Sequence, residues 1–364
     1  MKNNILHIIN SMEPGGAENL LKFQLPYFNH NKYNIHIGFL IGSGSLFKKN
    51  WPKNHNIKII DFSRDGKFYY KSIFKINDYI KKNNIDIVHS HLMQSGIISK
   101  LISIFNKKVK SISTRHYGKA SKGHRLVNKI EDILVNYDCK IICVSKYIEH
   151  YMKELGISEE KLKVIYNGIR VDYYKSLNKV KNDNFTIGTV GRINDKKGID
   201  TVLKAFKKIL KDFPDVTLNI IGDGPSIDKY IKLSFNLGIN QSVSFMGYMQ
   251  PHKVMLEMSK WNLFILASKA EGFGMVLIEA GALGIPVIAT RVDAIPEIIK
   301  NDYNGFLVDV DNVDQIYIKS LHLIRSPHKR EILSKNGMNN VYKNFSILKM
   351  VEETEKIYEE ILQL

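Results

Sequence analysis

The feature that most limits what this chain can fold into is a rhythm of short apolar runs separated by amphipathic stretches. The rhythm stops once and then starts again. In the first half, Ile5–Ile9, Ile35–Ile41, Ile57–Ile60, Ile85–His89, Val109–Ser113, Lys140–Val144 and Lys163–Ile165 are short apolar runs that fit strands buried on both faces. Between them, Ala17–Phe28, Tyr69–Asn83, Ser95–Phe105, Arg125–Tyr137 and Lys146–Leu155 carry helical spacing. A polar stretch, Ser176–Asn184, interrupts the pattern as a linker would. The alternation resumes with Phe185–Val190, Val216–Ile221, Val243–Met246, Leu263–Leu266, Pro286–Ala289 and Gly305–Val308, with helical stretches at Gly198–Lys211, Ser226–Leu237 and Met275–Leu283.

Strands alternating with helices predict a parallel sheet covered on both faces, and 364 residues suit two such cores better than one. The expected fold class is therefore α/β: two Rossmann-like, doubly wound domains, residues 1–176 and 185–344, facing a central cleft. Ligands are expected outside the C-terminal ends of the strands. The last stretch places Ile347, Met350, Val351, Thr354, Ile357, Tyr358, Ile361 and Leu362 on one helical face. A closing helix over 345–364 is expected to pack back on the first domain.

Net charge is +17, and it is divided unevenly. Residues 1–180 hold 30 Lys and Arg against 14 Asp and Glu, whereas residues 181–364 hold the other 23 against 22. A purely solubilising charge would not divide this way, so the first half is expected to face something anionic. Two cysteines, Cys139 and Cys143, make no disulfide framework and read as core residues of a reducing compartment. The apolar part of the N-terminus is too short for a signal peptide, and no apolar run approaches the ~20 residues of a membrane span. The expected location is the cytoplasm.

Two segments carry the chemistry. In Ser268-Lys269-Ala270-Glu271-Gly272-Phe273-Gly274-Met275-Val276-Leu277-Ile278-Glu279-Ala280, an apolar strand ends in a glycine-containing turn that opens a helix. The unpaired N–H groups of a helix start make a ready anion site. Glu271 and Glu279 bracket it, and carboxylates beside an anion site accept hydrogen bonds from hydroxyls, as on a sugar or a ribose. In Gly188-Thr189-Val190-Gly191-Arg192-Ile193-Asn194-Asp195-Lys196-Lys197-Gly198, Arg192 and Lys197 follow a strand, where a leaving diphosphate would need its charge neutralised.

At these residues the chain resembles the retaining glycosyltransferases of the GT-B fold, in particular glycosyltransferase family four. The family's Glu–seven residues–Glu motif is matched by Glu271 and Glu279. The resemblance implies that Glu271 meets the donor-sugar hydroxyls and Glu279 the nucleotide ribose. It further implies that the backbone of Phe273, Gly274, Met275 and Val276 holds sugar and phosphate, and that Arg192 and Lys197 hold the diphosphate. Gly222, in Ile220-Ile221-Gly222-Asp223-Gly224-Pro225, and Tyr248, in Phe245-Met246-Gly247-Tyr248, follow in family order on the nucleotide side. Gly15 and Gly16 look like the family's first glycine-rich loop, and no G-x-G-x-x-G fingerprint is present. His116, in Thr114-Arg115-His116-Tyr117, matches the family's cleft histidine near the donor sugar. The departure is that Tyr117-Gly118-Lys119 follow where the family has a carboxylate. Asn167, in the Asn-Gly turn, reads as structural.

Other arrangements imitate function. His89-Ser90-His91 has a conceivable metal spacing, but the reading preferred on the resemblance is a pair of cleft-edge histidines, and no metal ligand is assigned. Asp309-Val310-Asp311 imitates a metal-binding DxD, yet it follows Asn304–Val308, far from the donor loop, and reads as a turn.

The resemblance thus implies transfer of a glycosyl unit from a nucleoside diphosphate sugar, UDP-sugar first and GDP-mannose second, with retention. Catalytic roles fall to Arg192, Lys197, Glu271 and His116, with no metal and no cofactor, the nucleotide sugar being a substrate. The acceptor is a lipid-linked or oligosaccharide chain of bacterial surface glycan assembly, such as lipopolysaccharide, O-antigen or capsule. The basic first domain is expected to meet an anionic membrane peripherally, on the inner face of the cytoplasmic membrane. Lys107, Lys108, Lys110, Lys119, Lys122, Arg125 and Lys129 are expected to cluster there around the acceptor strand. A catalytically inactive GT-B scaffold and a basic nucleic-acid binder are the rival readings. The first leaves the four charged site residues unexplained, and the second the glutamates at a helix start.

Overall fold

In the computed structural model the described residues are 2–11, 15–41, 51, 57–63, 70–118, 133–177 and 184–363. Pro14, Lys119, Lys122, Arg125 and Lys129, most of the stretch expected as a helix over Arg125–Tyr137, and linker residues 178–183 lie outside them. The chain divides into two compact units, Met1–Gly168 with Ile347–Leu364, and Ile169–Ser346.

The first unit is a seven-stranded sheet in the order β3-β2-β1-β4-β5-β6-β7. Its strands are β1 (Asn3–Ile9), β2 (Tyr33–Phe39), β3 (Ile57–Asp61), β4 (Ile87–His91), β5 (Lys110–Arg115), β6 (Lys140–Cys143) and β7 (Leu162–Val164). All neighbours are parallel. β4 starts two residues later than its apolar run. The Ile85 N–H closes the preceding helix on the Ile80 carbonyl, and the Asp86 N–H bonds the Asn4 carbonyl, so the ladder opens only at Ile87. Helices α1 (Gly16–Gln24), α2 (Tyr70–Lys82), α3 (Met93–Phe105) and α4 (Lys146–Glu154) supply the crossovers. Leu6, Ile8, Val88, Ile76, Ile80, Ile98 and Ile102 form one apolar layer between sheet and helices.

One polar feature is buried inside this unit. Asp138 accepts from Ser111 Oγ and Ser113 Oγ at 2.6 Å each, and Lys100 Nζ lies 3.3 Å from it. Both charged side chains are fully buried. Period-two alternation in β5 puts both serines on one face, where they complete the carboxylate's partners. Cys143 is buried, but Cys139 is exposed, contrary to its reading as a core residue. Its N–H instead joins the ladder at the Ser111 carbonyl just before β6.

The second unit is a six-stranded parallel sheet in the order β10-β9-β8-β11-β12-β13. These are β8 (Thr186–Val190), β9 (Thr217–Ile221), β10 (Val243–Phe245), β11 (Leu263–Leu266), β12 (Val287–Thr290) and β13 (Phe306–Val308). Its helices are α5 (Val171–Ser176), α6 (Ile199–Asp212), α7 (Ile227–Leu237), α8 (Pro251–Met258), α9 (Met275–Ala282), α10 (Ile295–Ile298), α11 (Val313–Arg325) and α12 (Pro327–Asn344). α6 shows why the periodicity worked: Ile199, Val202, Leu203, Phe206 and Ile209 recur at three-to-four spacing, and all are buried in the core.

The boundary between the units falls earlier than residue 176. The Ile169 N–H donates to the Phe345 carbonyl, and α5 packs on α9, so residues 169–176 belong to the second unit. The closing helix α13 (Ile347–Gln363) belongs to the first unit. It buries Ile347, Met350, Val351, Thr354, Ile357, Tyr358 and Ile361. Its acidic face reaches Lys32 through Glu359 at 2.6 Å and Lys140 through Glu360 at 2.7 Å.

Candidate functional site

In the second unit the loops after β8, β9 and β11 converge at the C-terminal ends of parallel strands, where a doubly wound sheet offers its helix starts. Two glycines let them touch. Gly222, at φ +136°, would drive a Cβ to 1.9 Å from the Gly191 carbonyl oxygen. Gly198, at φ +63°, would place one 2.0 Å from the Ala267 carbonyl oxygen. Only glycine satisfies both the backbone conformation and the approach. The Lys269 N–H then donates to the Lys196 carbonyl at 2.7 Å, fastening the loop after β11 to the loop after β8.

That fastening brings two residues singled out in the sequence together. Lys197 Nζ donates to Glu271 Oε1 as an ion pair, and Ser268 Oγ donates to the same oxygen at 2.8 Å. Ser268 is itself fully buried. The Glu271 N–H donates to Asp293 Oδ2 at 2.9 Å. Asp293 sits at φ +45°, a left-handed conformation that costs a non-glycine residue about 1–3 kcal/mol. Its side-chain cap on the Glu271 backbone offsets part of that cost. Neither Ser268 nor Asp293 was assigned a role from sequence. Asp293 stands 22 residues beyond Glu271, and no local motif marks it.

Past Glu271 the chain turns at Gly274, the N-cap of α9, so Met275 and Val276 occupy its first turn. The Phe273 side chain is buried against Phe345 at 5.8 Å between ring centroids, which leaves only its backbone for a ligand. Glu279 lies one turn into α9. Burial pushes its carboxyl up to about 7, against the opposing pull of the nearby Tyr174 phenol. Arg192 is exposed on the loop after β8, and Tyr248 is exposed after β10. Asp309 and Asp311 serve the loop itself. Asp309 accepts from Gln315 Nε2, and Asp311 from Lys269 Nζ and Thr201 Oγ1.

In the first unit, Gly15 is the extended N-cap of α1 and Gly16 its first residue. His116 follows β5 and lines a small pocket with His89, His91, Thr114, Gln24 and Asn167. No carboxylate lines it among the described residues. Burial lowers the His116 imidazole to about 4, which keeps it neutral. His89 and His91 are not at an edge. They lie buried on the sheet face that receives α13, because strand alternation puts both on the same side and register sets His7 beside His89. A hydrogen-bonded chain runs through them. Thr114 Oγ1 meets His89 Nε2 at 2.7 Å, His89 Nδ1 meets the Tyr358 hydroxyl at 2.6 Å, that hydroxyl meets His7 Nε2 at 3.4 Å, and His7 Nδ1 meets His91 Nε2 at 3.0 Å. One ring nitrogen from each of His7, His89 and His91 lies within 4.8 Å of the others. The imidazole–phenol chain already engages these nitrogens, and among the described residues no carboxylate joins the group.

Lys107, Lys108 and Lys110 precede or open β5, while His116 follows its far end. At about 3.3 Å per residue, the length of β5 separates these lysines from His116. The other residues expected to cluster around this strand, Lys119, Lys122, Arg125 and Lys129, lie outside the described residues.

Comparison with known proteins follows from this geometry. Residues 14–173 match the family model described as Glycosyltransferase Family 4, and residues 172–340 match Glycosyl transferases group 1. An uncharacterized glycosyltransferase of Methanocaldococcus jannaschii is 33% identical over 340 residues, covering 89% of this chain and 90% of that protein. The capsular polysaccharide biosynthesis glycosyltransferase CapM of Staphylococcus aureus is 28% identical over 374 residues, covering 94% of each. Among solved structures, Anabaena HepE in complex with UDP-glucose superposes with a TM-score of 0.83 at 20% identity, covering 98% of this chain and 99% of that one. Two parallel α/β sheets with this strand order define the GT-B fold. The chain belongs to glycosyltransferase family 4 of the group 1 glycosyl transferases. It is a glycosyltransferase with relatives in bacterial polysaccharide biosynthesis.

Proposed function

We propose that this enzyme moves a sugar from a nucleoside diphosphate sugar, a UDP-sugar before GDP-mannose, to a lipid-linked or oligosaccharide acceptor of bacterial surface polysaccharide, with retention at the anomeric carbon. The observation that carries the reading is the Lys197–Glu271 ion pair beside the start of α9. A cation for the diphosphate and a carboxylate for sugar hydroxyls stand next to amides suited to phosphate. Arg192, exposed on the same loop as Lys197, adds a planar fork for phosphate oxygens. Charge on the leaving diphosphate grows in the transition state, so these groups act on the chemical step. With two cations and helix-start amides available, the mechanism asks for no metal. A donor phosphate oxygen takes the acceptor proton, and His116, neutral and half-buried, orients rather than titrates.

Glu279 holds the ribose, while Gly222 and Tyr248 flank the nucleotide. The UDP-glucose bound by HepE supports a nucleotide-sugar donor of this type. On the acceptor side, Gly15, Gly16 and His116 belong to the unit that carries the excess of basic residues. That charge supports an anionic lipid diphosphate and peripheral contact with an anionic membrane. Among the described residues no helix is long and apolar enough to cross one. Calorimetry with UDP, GDP and an oligonucleotide, followed by a donor screen on membrane extract with mass spectrometry of the lipid product, tests the reading. Binding of the oligonucleotide alone, or nucleotide binding without any turnover, would replace it with one of its rivals.

A further inference from the structure

Tyr230 stands near the start of α7, 1% exposed, with its ring in the same core cluster as Ile193, Val202 and Phe206. A phenylalanine would fill that volume, and a buried phenol hydroxyl without a partner costs free energy. The partner is Asp195, on the loop after β8: the hydroxyl donates to Asp195 Oδ1 at 3.0 Å. Ser226 Oγ and Lys229 Nζ donate to the same oxygen, at 3.2 and 2.8 Å. The lysine pair is open to water, with 60% and 69% of its side chains exposed, so it holds little by itself. The phenol differs because the core fixes its ring, which makes it a strut between the core and the loop.

What the strut holds is the segment that carries Lys197. Asp195 opens the single helical turn Asp195–Lys197, and Lys197 Nζ reaches Glu271 Oε1 from its end. The Ile193 N–H donates to the Asp223 carbonyl at 2.9 Å, and the Lys269 N–H donates to the Lys196 carbonyl. Backbone bonds thus fasten the segment at Ile193 and at Lys196, and between them Asp195 is fastened through its side chain.

We propose that Tyr230 and Asp195 are positioning residues for the leaving diphosphate, their phenol–carboxylate bond holding the turn so that Lys197 stands in place before a nucleotide arrives. This rests on the reading of Lys197 as a cation for the diphosphate. Without the bond the turn gains conformations, and a ligand held by Lys197 has to supply the ordering that the phenol supplied. The loss is then bounded by the bond itself and falls on ligands that carry the phosphates.

The test uses the full chain with Tyr230→Phe, Asp195→Ala, Asp195→Asn and Lys197→Ala. Calorimetry would use UDP and GDP, and the nucleoside of whichever binds, measured by competition. Tyr230→Phe should weaken the diphosphate about tenfold, the size expected for one bond to a charged acceptor. It should leave affinity for the nucleoside at the wild-type value. Asp195→Ala should lose at least as much, and Asp195→Asn, which keeps an oxygen for the phenol, should recover most of it. In the Lys197→Ala background, Tyr230→Phe should cost much less than it does alone, because it acts through the lysine. An equal loss for diphosphate and nucleoside would reveal a merely structural tyrosine and overturn the proposal. So would an undiminished cost in the Lys197→Ala background, or an Asp195→Asn as weak as Asp195→Ala. Wild-type diphosphate affinity in Tyr230→Phe where Lys197→Ala is weakened would sink the positioning role alone. If Lys197→Ala itself binds the diphosphate normally, the diphosphate reading of Lys197 fails, and Tyr230 falls with it.

Discussion

Lys197 and Glu271, 74 positions apart, share an ion pair that is nearly buried from both sides, with 22% and 12% of their side chains exposed. The pair satisfies each group. On the proposed function a donor diphosphate would draw on Lys197 and a donor sugar on Glu271, so binding would engage both partners together. Neither residue is held by secondary structure alone. The contact exists because Gly198 and Gly222 let three loops pack at the strand ends.

From that relationship, Lys197→Ala should lower kcat more than it raises the donor KM, by about 10²-fold or more in kcat. Arg192→Ala should act in the same direction. Lys197→Ala also leaves Glu271 without its cation, so the double variant with Glu271→Gln should cost less than the product of the two single losses. Steady-state kinetics on all four variants, with EDTA present, checks this. Turnover within twofold of wild type for Lys197→Ala and Arg192→Ala would remove them from the chemistry. Loss of activity in EDTA that a divalent ion restores would revive a metal mechanism.

Much of the fold was legible because parallel strands buried on both faces read as apolar runs, and the amphipathic helices between them keep a 3.6 period. Ile187, Leu218 and Ile265 are core residues that the pattern alone identifies. What escaped were contacts set by register and by distant loops. His7 carries no motif, and it joins His89 and His91 only because β1 pairs with β4. Asp293 caps Glu271 across 22 residues, and Tyr174 reaches Glu279 from a helix that the linker composition had assigned to the other domain. The polar stretch Ser176–Asn184 pointed to a boundary near residue 176, whereas the compact units divide at Gly168 and Ile169, where the Ile169 N–H meets the Phe345 carbonyl.

Glu279→Gln should stabilise the empty protein while weakening the nucleotide complex. The folded-state carboxyl is raised from 4.5 to about 7, so the native state binds more protons than the unfolded chain between those values, and stability falls as pH rises through that window. At pH 8 the ionised, buried carboxylate costs at most about 3 kcal/mol by this linkage. Glutamine keeps the shape without the charge. Calorimetric melting should show a higher Tm for the variant at pH 8 and little difference at pH 5. A Tm equal to wild type at both pH values would show that the carboxylate is not buried at a cost.

Acid should unfold the first unit before the second. Burial lowers His7 to about 3 and holds His89 and His91 well below their ordinary range, so all three are neutral in the folded state. The unfolded chain takes up protons below about 6.5, and stability is lost as pH falls from there toward the folded values. Each such group contributes up to about 2 kcal/mol of that loss by pH 5. His7→Asn should flatten the pH dependence of urea midpoints between pH 7 and 5. Unchanged steepness in that variant would place the acid sensitivity elsewhere.

Asp138→Asn should be among the most damaging single changes away from the site. It leaves Lys100 buried without its anion, and breaking one partner of a buried pair costs about 3–5 kcal/mol. Replacing both, with Lys100→Met and Asp138→Asn, should recover part of that loss, because the stranded charge is gone and Ser111 and Ser113 keep a polar partner. Urea unfolding of the two single variants and the double variant gives the coupling directly. Losses that simply add would show that the two groups do not act as a pair.

The last prediction concerns where the basic unit meets a membrane. If its excess of positive charge is a docking device, the full chain should sediment with anionic vesicles at low salt and hardly at all near molar salt. Neutral vesicles should bind little in either condition. Each lysine near an anionic surface adds up to about 1 kcal/mol, and salt shortens the reach of that attraction. The position of the lysines then separates two docking faces. Lys107 and Lys108 are exposed at the end of β5 opposite His116. Lys119, Lys122 and Arg125 follow His116 in the chain within three to nine residues. Docking that serves a lipid acceptor has to present the His116 end, so charge reversal at 119, 122 and 125 should reduce vesicle binding and lipid-acceptor turnover together while nucleotide affinity is unchanged. Charge reversal at Lys107 and Lys108 should affect both far less. The opposite ranking would put the membrane against the far edge of the sheet and remove the acceptor from the bilayer surface. Equal sedimentation with neutral and anionic vesicles would remove electrostatic docking altogether.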